Sequence, residues 1–233
     1  MHSRIIFPRA LRCLLAAAFA LAGVANFTVL SPPALADLPP APSHADPSTF
    51  HWVATWGAAA VAGELSAPAD IALDAAGNVY VADTGNHRVQ VFTAAGVFLR
   101  TFGRLGRGQG EFYNPRSIAV RGDRVYVADT NNSRVQVFTL QGDFVRQVGR
   151  WAAGDPDGLS DPVSVDADAA GRIFVLSLTG RVTGNQTYQR LSRFAPDGAP
   201  QGSREVDCAS GALAVDTDGV AYCSPALFGV IRI

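Results

Sequence analysis

The sequence predicts an all-β fold built from a repeated four-stranded antiparallel sheet, and three observations carry that prediction. The segment "VYVADTGNHRVQVF" (79–92) returns as "VYVADTNNSRVQVF" (125–138), differing only at Gly85/Asn131 and His87/Ser133. Pro68, Pro115 and Pro162 recur every 47 residues, a period that marks stacked or ring-arranged repeats. Inside each copy the apolar residues alternate with a period of two, as strands with opposite-pointing side chains require.

The first copy, "APADIALDAAGNVYVADTGNHRVQVFTAAGVFLRTFG" (67–103), yields four strands: "DIAL", "NVYVAD", "RVQVF" and "VFLRTF". They are separated by "DAAG", "TGNH" and "TAAG", whose glycines can take the positive φ of tight hairpins. The second copy, "NPRSIAVRGDRVYVADTNNSRVQVFTLQGDFVRQVG" (114–149), drops one residue in its first turn. A third begins "DPVSVDADAAGRIFVLS" (161–177) and resumes at "RLSRFAPDGAP" (190–200). The fourth, "SGALAVDTDGVAYCSPALFGVIRI" (210–233), aligns Ile231 with Val89. The repeats thus run over about 65–103, 112–149, 159–200 and 208–233. One such sheet cannot cover both of its faces, whereas copies packed face to face around an axis can. Four short antiparallel strands per repeat make one blade of a β-propeller, here of about four blades.

The two ends of the array bear on its closure. The fourth copy stops at "VIRI", its third strand, while "FHWVATWG" (50–57) aligns with the fourth strand "VFLRTFG" (97–103). An amino-terminal strand can therefore complete the last blade and close a ring of four. The alternative is a shortened arc with exposed edges.

Residues 1–36 read as an export signal. Arg4, Arg9 and Arg12 precede an apolar run from Cys13 to Leu30, and Ala34-Leu35-Ala36 supplies a small-x-small cleavage site before Asp37. The run is also near the lower length bound of a spanning helix, so retention as an anchor is the alternative. Cys13 opens the run instead of closing it, which argues against lipid attachment. Residues 37–49, "DLPPAPSHADPST", form a proline-rich linker, and residues 50–233 form the propeller domain.

Composition excludes several classes of chemistry. All 19 basic residues are arginine, so Schiff-base, Walker-lysine and catalytic-amine chemistry are closed to this chain. Arginine-only usage with abundant alanine is also typical of a high-G+C bacterial genome. Removing residues 1–36 leaves 16 arginines against 20 acidic residues. A domain with that acidic balance has little electrostatic reason to bind nucleic acid, and no membrane span remains after cleavage.

"YVADTGNHRVQVF", preceded by a proline-led strand and followed by "FGRLGRGQGEFYNP", resembles an NHL repeat, and "YVADTNNSRVQVF" resembles a second. The family is similar to the six-bladed, TolB-like propeller superfamily. The resemblance implies the fold over residues 50–233, while the function remains open between interaction scaffold, sensor and enzyme.

Within the motif, Asp83 ends the second strand and Arg88 opens the third; Asp129 and Arg134 repeat the spacing. Such an aspartate can accept turn N–H groups and face the arginine across the hairpin, a structural role suited to a recurring pair. In the fourth copy both partners are lost together, as Pro225 and Val230.

In an up-and-down blade, the loops between second and third strands share a face with the blade-to-blade connectors. That face collects His87, the connectors 103–114 and 149–161, and an eight-residue insertion, "VTGNQTYQ" (182–189). Arg104, Arg107, Trp151, Arg181 and Tyr188 thereby form a candidate surface for an anionic or sugar-like ligand, or merely a solvated rim. "GRLGRGQG" (103–110) lacks the lysine of a phosphate loop.

Enzymatic constellations are sparse. Apart from the leader, the histidines are His44, His51 and His87, too scattered for a three-histidine metal site. This departs from the amidating-lyase branch of NHL-like propellers, whose metal is histidine-bound. The carboxylates of "DADAAG" (166–171) and "DTDG" (216–219) suggest calcium, but Asp and Gly are ordinary in first-turn hairpins. No G-x-S-x-G elbow occurs, and "NQT" (185–187) is an N-glycosylation pattern of no consequence in a bacterial setting.

Cys208 and Cys223 are the cysteines outside the leader, and in an oxidising compartment they read as a disulfide. Hairpin pairing around "DTDG" places Cys223 opposite about Ala212, so a bond requires the connector to fold back beside the strand. The functional expectation is a secreted, non-catalytic scaffold without cofactor, binding a protein, a peptide or a cell-envelope carbohydrate. The alternative is a small secreted metal-dependent lyase or hydrolase.

Overall fold

Hairpin chemistry sets the first sheet. β1 (Asp70–Leu73) turns into β2 (Val79–Asp83) where Asp74 Oδ1 accepts the Ala76 and Asn78 N–H groups, each at 2.9 Å, and Gly77 takes φ +84°. A short 3-10 turn (84–86) leads to β3 (Arg88–Phe92), and a glycine turn to β4 (Phe98–Phe102). The strands hydrogen-bond in chain order. The computed structural model describes residues 64–150, 158–183, 186–208, 211–223 and 231–232, with the side chains of 179–183, 186–188 and 231–232 excepted. The leader, the linker and the strand expected at 1–36, 37–49 and 50–57 lie outside these residues.

The same order recurs in β5 (Pro115–Arg121), β6 (Arg124–Asp129), β7 (Arg134–Thr139) and β8 (Phe144–Val148). It recurs again in β9 (Pro162–Ala167), β10 (Ile173–Thr183), β11 (Gln186–Phe194) and β12 (Pro200–Val206). The last sheet has three described strands, β13 (Leu213–Val215), β14 (Ala221–Cys223) and β15 (Ile231–Arg232). Asp168 and Asp216 shape their hairpins as Asp74 does, accepting Ala170 and Arg172, and Asp218 and Val220. Asp168 and Asp216, two of the carboxylates that resembled calcium ligands, are therefore engaged with turn amides, while Asp166 accepts from Arg121 and from Val215 N–H of the next blade.

One sequence expectation gains detail and one is corrected. The eight-residue insertion between the second and third strands takes the form of a longer hairpin: it extends β10 and β11, whose pairing continues past Leu178↔Gln189, through a register shift, to Val182↔Thr187 and Thr183↔Gln186. Antiparallel strands can extend in this way because each added pair satisfies its own backbone groups. In the last sheet Cys223 pairs with Ile231 where Val81 pairs with Gln90. Ile231 thus takes the place of Gln90, not of Val89.

The blades stack through complementary apolar faces. Ala72, Tyr80, Ala82, Val89 and Val91 of the first meet Ile118, Val120, Val125, Val127 and Phe138 of the second. Ala128, Val135 and Val137 of the second meet Val165, Ile173 and Val175 of the third, and Phe174, Leu176 and Leu191 meet Val215 and Ala221 of the fourth. Each fully buried Val or Phe contributes about 1.5–3 kcal/mol.

Two further devices join neighbours. Phe112 and Leu159, fully buried connector residues, sit against Gly103 and Gly149, where a Cβ would lie 2.3 Å from the side chain in each case. The inner strands belong to different sheets, so side chains bridge them: Asp70 Oδ2 accepts Ile118 N–H (3.0 Å), Ser117 Oγ accepts Val165 N–H (3.2 Å) and Ser164 Oγ accepts Leu213 N–H (3.2 Å). One repeat position thus performs the same task three times.

Cys208 and Cys223 form a disulfide with Cα atoms 5.6 Å apart. The fold-back it requires is a turn in which Gly211, at φ +68°, donates its N–H to the Cys208 carbonyl at 3.0 Å.

Candidate functional site

The loop between second and third strands is organised around a buried aspartate. Asp129 accepts from Tyr113 N–H (2.7 Å), Asn132 Nδ2 (2.9 Å), Arg134 Nε (2.7 Å) and Gln136 Nε2 (3.2 Å). Asp83 repeats this with Ser66 N–H (2.7 Å), Asn86 Nδ2 (2.9 Å), Arg88 Nε (2.8 Å) and Gln90 Nε2 (2.9 Å). Four donors, one of them cationic, compensate for a fully buried carboxylate. The expected Asp–Arg pairs are therefore present, and each is half of a larger hub. Asn86, Asn132, Gln90 and Gln136 were legible only as identical polar residues inside the repeated segment.

The hub's donors also hold the connectors. Arg88 Nη2 and Gln90 Nε2 donate to the Glu64 carbonyl, both at 2.7 Å. Arg134 Nη2 and Gln136 Nε2 donate to the Glu111 carbonyl at 2.9 and 2.7 Å, and Gly110 N–H returns a bond to Gln136 Oε1 at 2.9 Å. Thr84 Oγ1 and Thr130 Oγ1 donate to the Pro115 and Pro162 carbonyls of the following blades. Loops and connectors thus form one cross-braced face.

The candidate residues on that face separate into distinct situations. His87 is occupied, its Nδ1 accepting Asn114 N–H at 3.1 Å and its ring meeting Tyr113 edge-on at 5.7 Å. Arg104 is paired: its Nε and Nη2 donate to Glu111 Oε1 at 3.0 and 2.8 Å, while Gly108 N–H donates to Oε2 at 2.8 Å. These bonds, the Gly108 N–H foremost and then Arg104, hold the Glu111 carboxyl below its ordinary range. Arg107 lines an open groove of about 310 Å³ together with Asn131, Ser133, Gln147 and Arg150, above the buried Arg134. Arg150 had not been singled out in the sequence. Trp151 lies outside the described residues, and Arg181 and Tyr188 are described only as backbone in the β10–β11 hairpin.

The groove carries no acidic lining residue. Beneath it Arg134 is neutralised by Asp129, whereas the exposed Arg107 and Arg150 side chains have no bonding partner among the described residues. Among those residues no three His, Cys, Asp or Glu side chains gather to hold a metal, and no helix is long and apolar enough to cross a membrane.

Four face-packed antiparallel sheets, joined through connectors over a common loop face, define a β-propeller chain. The NHL repeat family model matches residues 65–92 and 112–138, so its first two blades are NHL repeats. Over 58 residues the chain is 36% identical to Protein brain tumor of Drosophila melanogaster, covering 25% of this chain and 6% of that protein. Among solved structures, a gluconolactonase from Xanthomonas campestris superposes with a TM-score of 0.51 at 16% identity, over 71% of this chain and 57% of that one. The virginiamycin B lyase of Staphylococcus aureus gives 0.46 at 13% identity, over 71% and 55%. This chain spans little more than half the length of either structure, and the likeness to the gluconolactonase is one of fold alone.

Proposed function

We propose that this chain is an extracytoplasmic, non-catalytic scaffold that binds a protein, a peptide or a cell-envelope carbohydrate through its connector face. The observation that carries the reading is the cross-bracing of that face. Buried aspartate hubs fix the loops after β2 and β6, the segment at Glu64–Ser66 and the connector at Gly108–Tyr113, so that part of the surface is set before a partner arrives and little entropy is lost there on binding. The groove of Arg107 and Arg150 gives that surface cations without an acidic partner among the described residues, on a chain whose net charge is −1, which directs an anionic partner to one place.

A pull-down from envelope extract, run beside a glycan array, tests the reading. A partner captured by the full chain and lost when the Arg107/Arg150 groove is altered is the expected result; no retained protein and no retained glycan would remove the scaffold reading. Amino-terminal sequencing of exported protein tests the compartment, with Asp37 expected as the first residue. The metal-dependent lyase or hydrolase remains the competing reading, and elemental analysis of purified protein decides it: a stoichiometric metal would favour it.

A further inference from the structure

The two successive connectors of this chain start alike and end differently. Gly103-Arg104 and Gly149-Arg150 occupy the same repeat position, each after the fourth strand. The equivalence is structural as well, since Phe112 N–H donates to the Arg104 carbonyl at 2.8 Å and Leu159 N–H to the Arg150 carbonyl at 3.0 Å. In the first connector Arg104 holds the Glu111 carboxylate with two guanidinium N–H groups, and Gly108 N–H binds the other oxygen. Glu111 stands four residues before Pro115; four residues before Pro162 stands Gly158. The second connector has kept the arginine and has glycine at the glutamate's position; its Asp155 and Asp157 lie outside the described residues.

We propose that Arg150, with Arg107 across the groove, binds the carboxylate side chains of an acidic peptide segment in a protein partner, the ligand's carboxylate serving Arg150 as Glu111 serves Arg104. The proposal rests on the scaffold reading and names the partner class of that face. An exposed guanidinium in a groove whose described lining holds no acid is a ready bidentate donor to a carboxylate. Asn131, Ser133 and Gln147 add amide and hydroxyl groups suited to a peptide backbone. The internal template is itself a glutamate side chain on a peptide. At about 310 Å³ and open to solvent, the groove is at the small end for enclosing a free ligand. No aromatic ring lines it among the described residues. The pairing of Arg134 with Asp129 removes that cation from competition, leaving Arg107 and Arg150 as the charges a ligand meets among the described residues.

The test uses the full chain and three fluorescein-labelled probes, decaglutamate, decaglutamine and oligogalacturonate, followed by fluorescence anisotropy. Decaglutamate should bind with an affinity that falls as salt rises, and decaglutamine should not. Arg107→Gln/Arg150→Gln together should weaken decaglutamate binding by about tenfold or more, with an unchanged thermal midpoint. Arg104→Gln, whose cation is already paired, should leave binding within about twofold. Equal binding by the double variant overturns the proposal, and so does tighter binding of oligogalacturonate than of decaglutamate. If decaglutamate fails to bind while the pull-down captures a partner, the acidic-peptide site falls and the scaffold stands; if nothing is captured, the scaffold itself falls.

Discussion

Asp129 and Arg134 meet at 2.7 Å with the carboxylate fully buried and the arginine side chain 8% exposed, whereas the equivalent Asp83 and Arg88 meet at 2.8 Å with the arginine 25% exposed. Removing the carboxylate strands a buried cation in the second blade and a partly solvated one in the first. Asp129→Ala should therefore cost about 3–5 kcal/mol and Asp83→Ala about 1–3 kcal/mol. Urea denaturation of both variants checks the order as well as the size; equal midpoints for variants and parent would show that the hubs do not hold the blades.

Gly103 combines φ +88° with a Cβ position 2.3 Å from the Phe112 ring. Gly103→Ala should cost about 2–4 kcal/mol, since neither the backbone nor a fully buried phenylalanine can give way. Gly122 has φ +56° and no heavy atom within 4 Å of its Cβ position. Gly122→Asn should be close to neutral, because asparagine tolerates left-handed backbone. Thermal midpoints of the two variants give the comparison.

The bridge between inner strands makes stability depend on pH. Burial pushes the Asp70 carboxyl up to about 6, against the opposing bonds from Ile118, Ser117 and Ile71. A raised folded-state value means that the protonated form is the one the fold favours. Its contribution is fully present below the ordinary value near pH 4 and is lost as pH rises through 6, up to about 3 kcal/mol in all. Asp70→Asn should flatten that loss. Chemical denaturation of parent and variant at pH 4 and pH 7 measures it, and parallel profiles would show that Asp70 does not titrate in this range.

The disulfide closes a loop of sequence separation 15 in the blade that has lost the Asp/Arg pair. Cys208→Ser/Cys223→Ser should lose about 3 kcal/mol in the chain-entropy account. Denatured, unreduced protein lacking residues 1–36 should show no free thiol on titration. Two thiols per chain would overturn the bond.

The three described strands of the last sheet leave an edge that "FHWVATWG" (50–57) matches in pattern. If these residues form its fourth strand, deleting 50–57 lowers the thermal midpoint far more than deleting 37–49. Equal midpoints for the two truncations would remove the closure.

The repeat, its strands, its turns and the Asp–Arg spacing were legible in the sequence because each rests on local rules: alternation, glycine in hairpins, and residues five apart across one turn. The disulfide was legible from cysteine count and the expected export, but its geometry was not, since it depends on a turn at Gly211 that no pattern announces. The insertion's place between second and third strands was legible but its form was not, because eight extra residues between two strands look the same whether they form a loop or lengthen the hairpin; only the pairing through Thr183 and Gln186 decides. The ladder of Asp70, Ser117 and Ser164 lay in plain sight at 47-residue spacing. It acquired meaning only when stacking brought each side chain to the next blade's amide. The site followed the same division. Sequence placed Arg104 and Arg107 on one face, since blade topology sends connectors there. Which arginine is spent internally was decided by tertiary contacts, because Glu111 reaches back to Arg104, whereas Arg107 and Arg150 meet no carboxylate among the described residues.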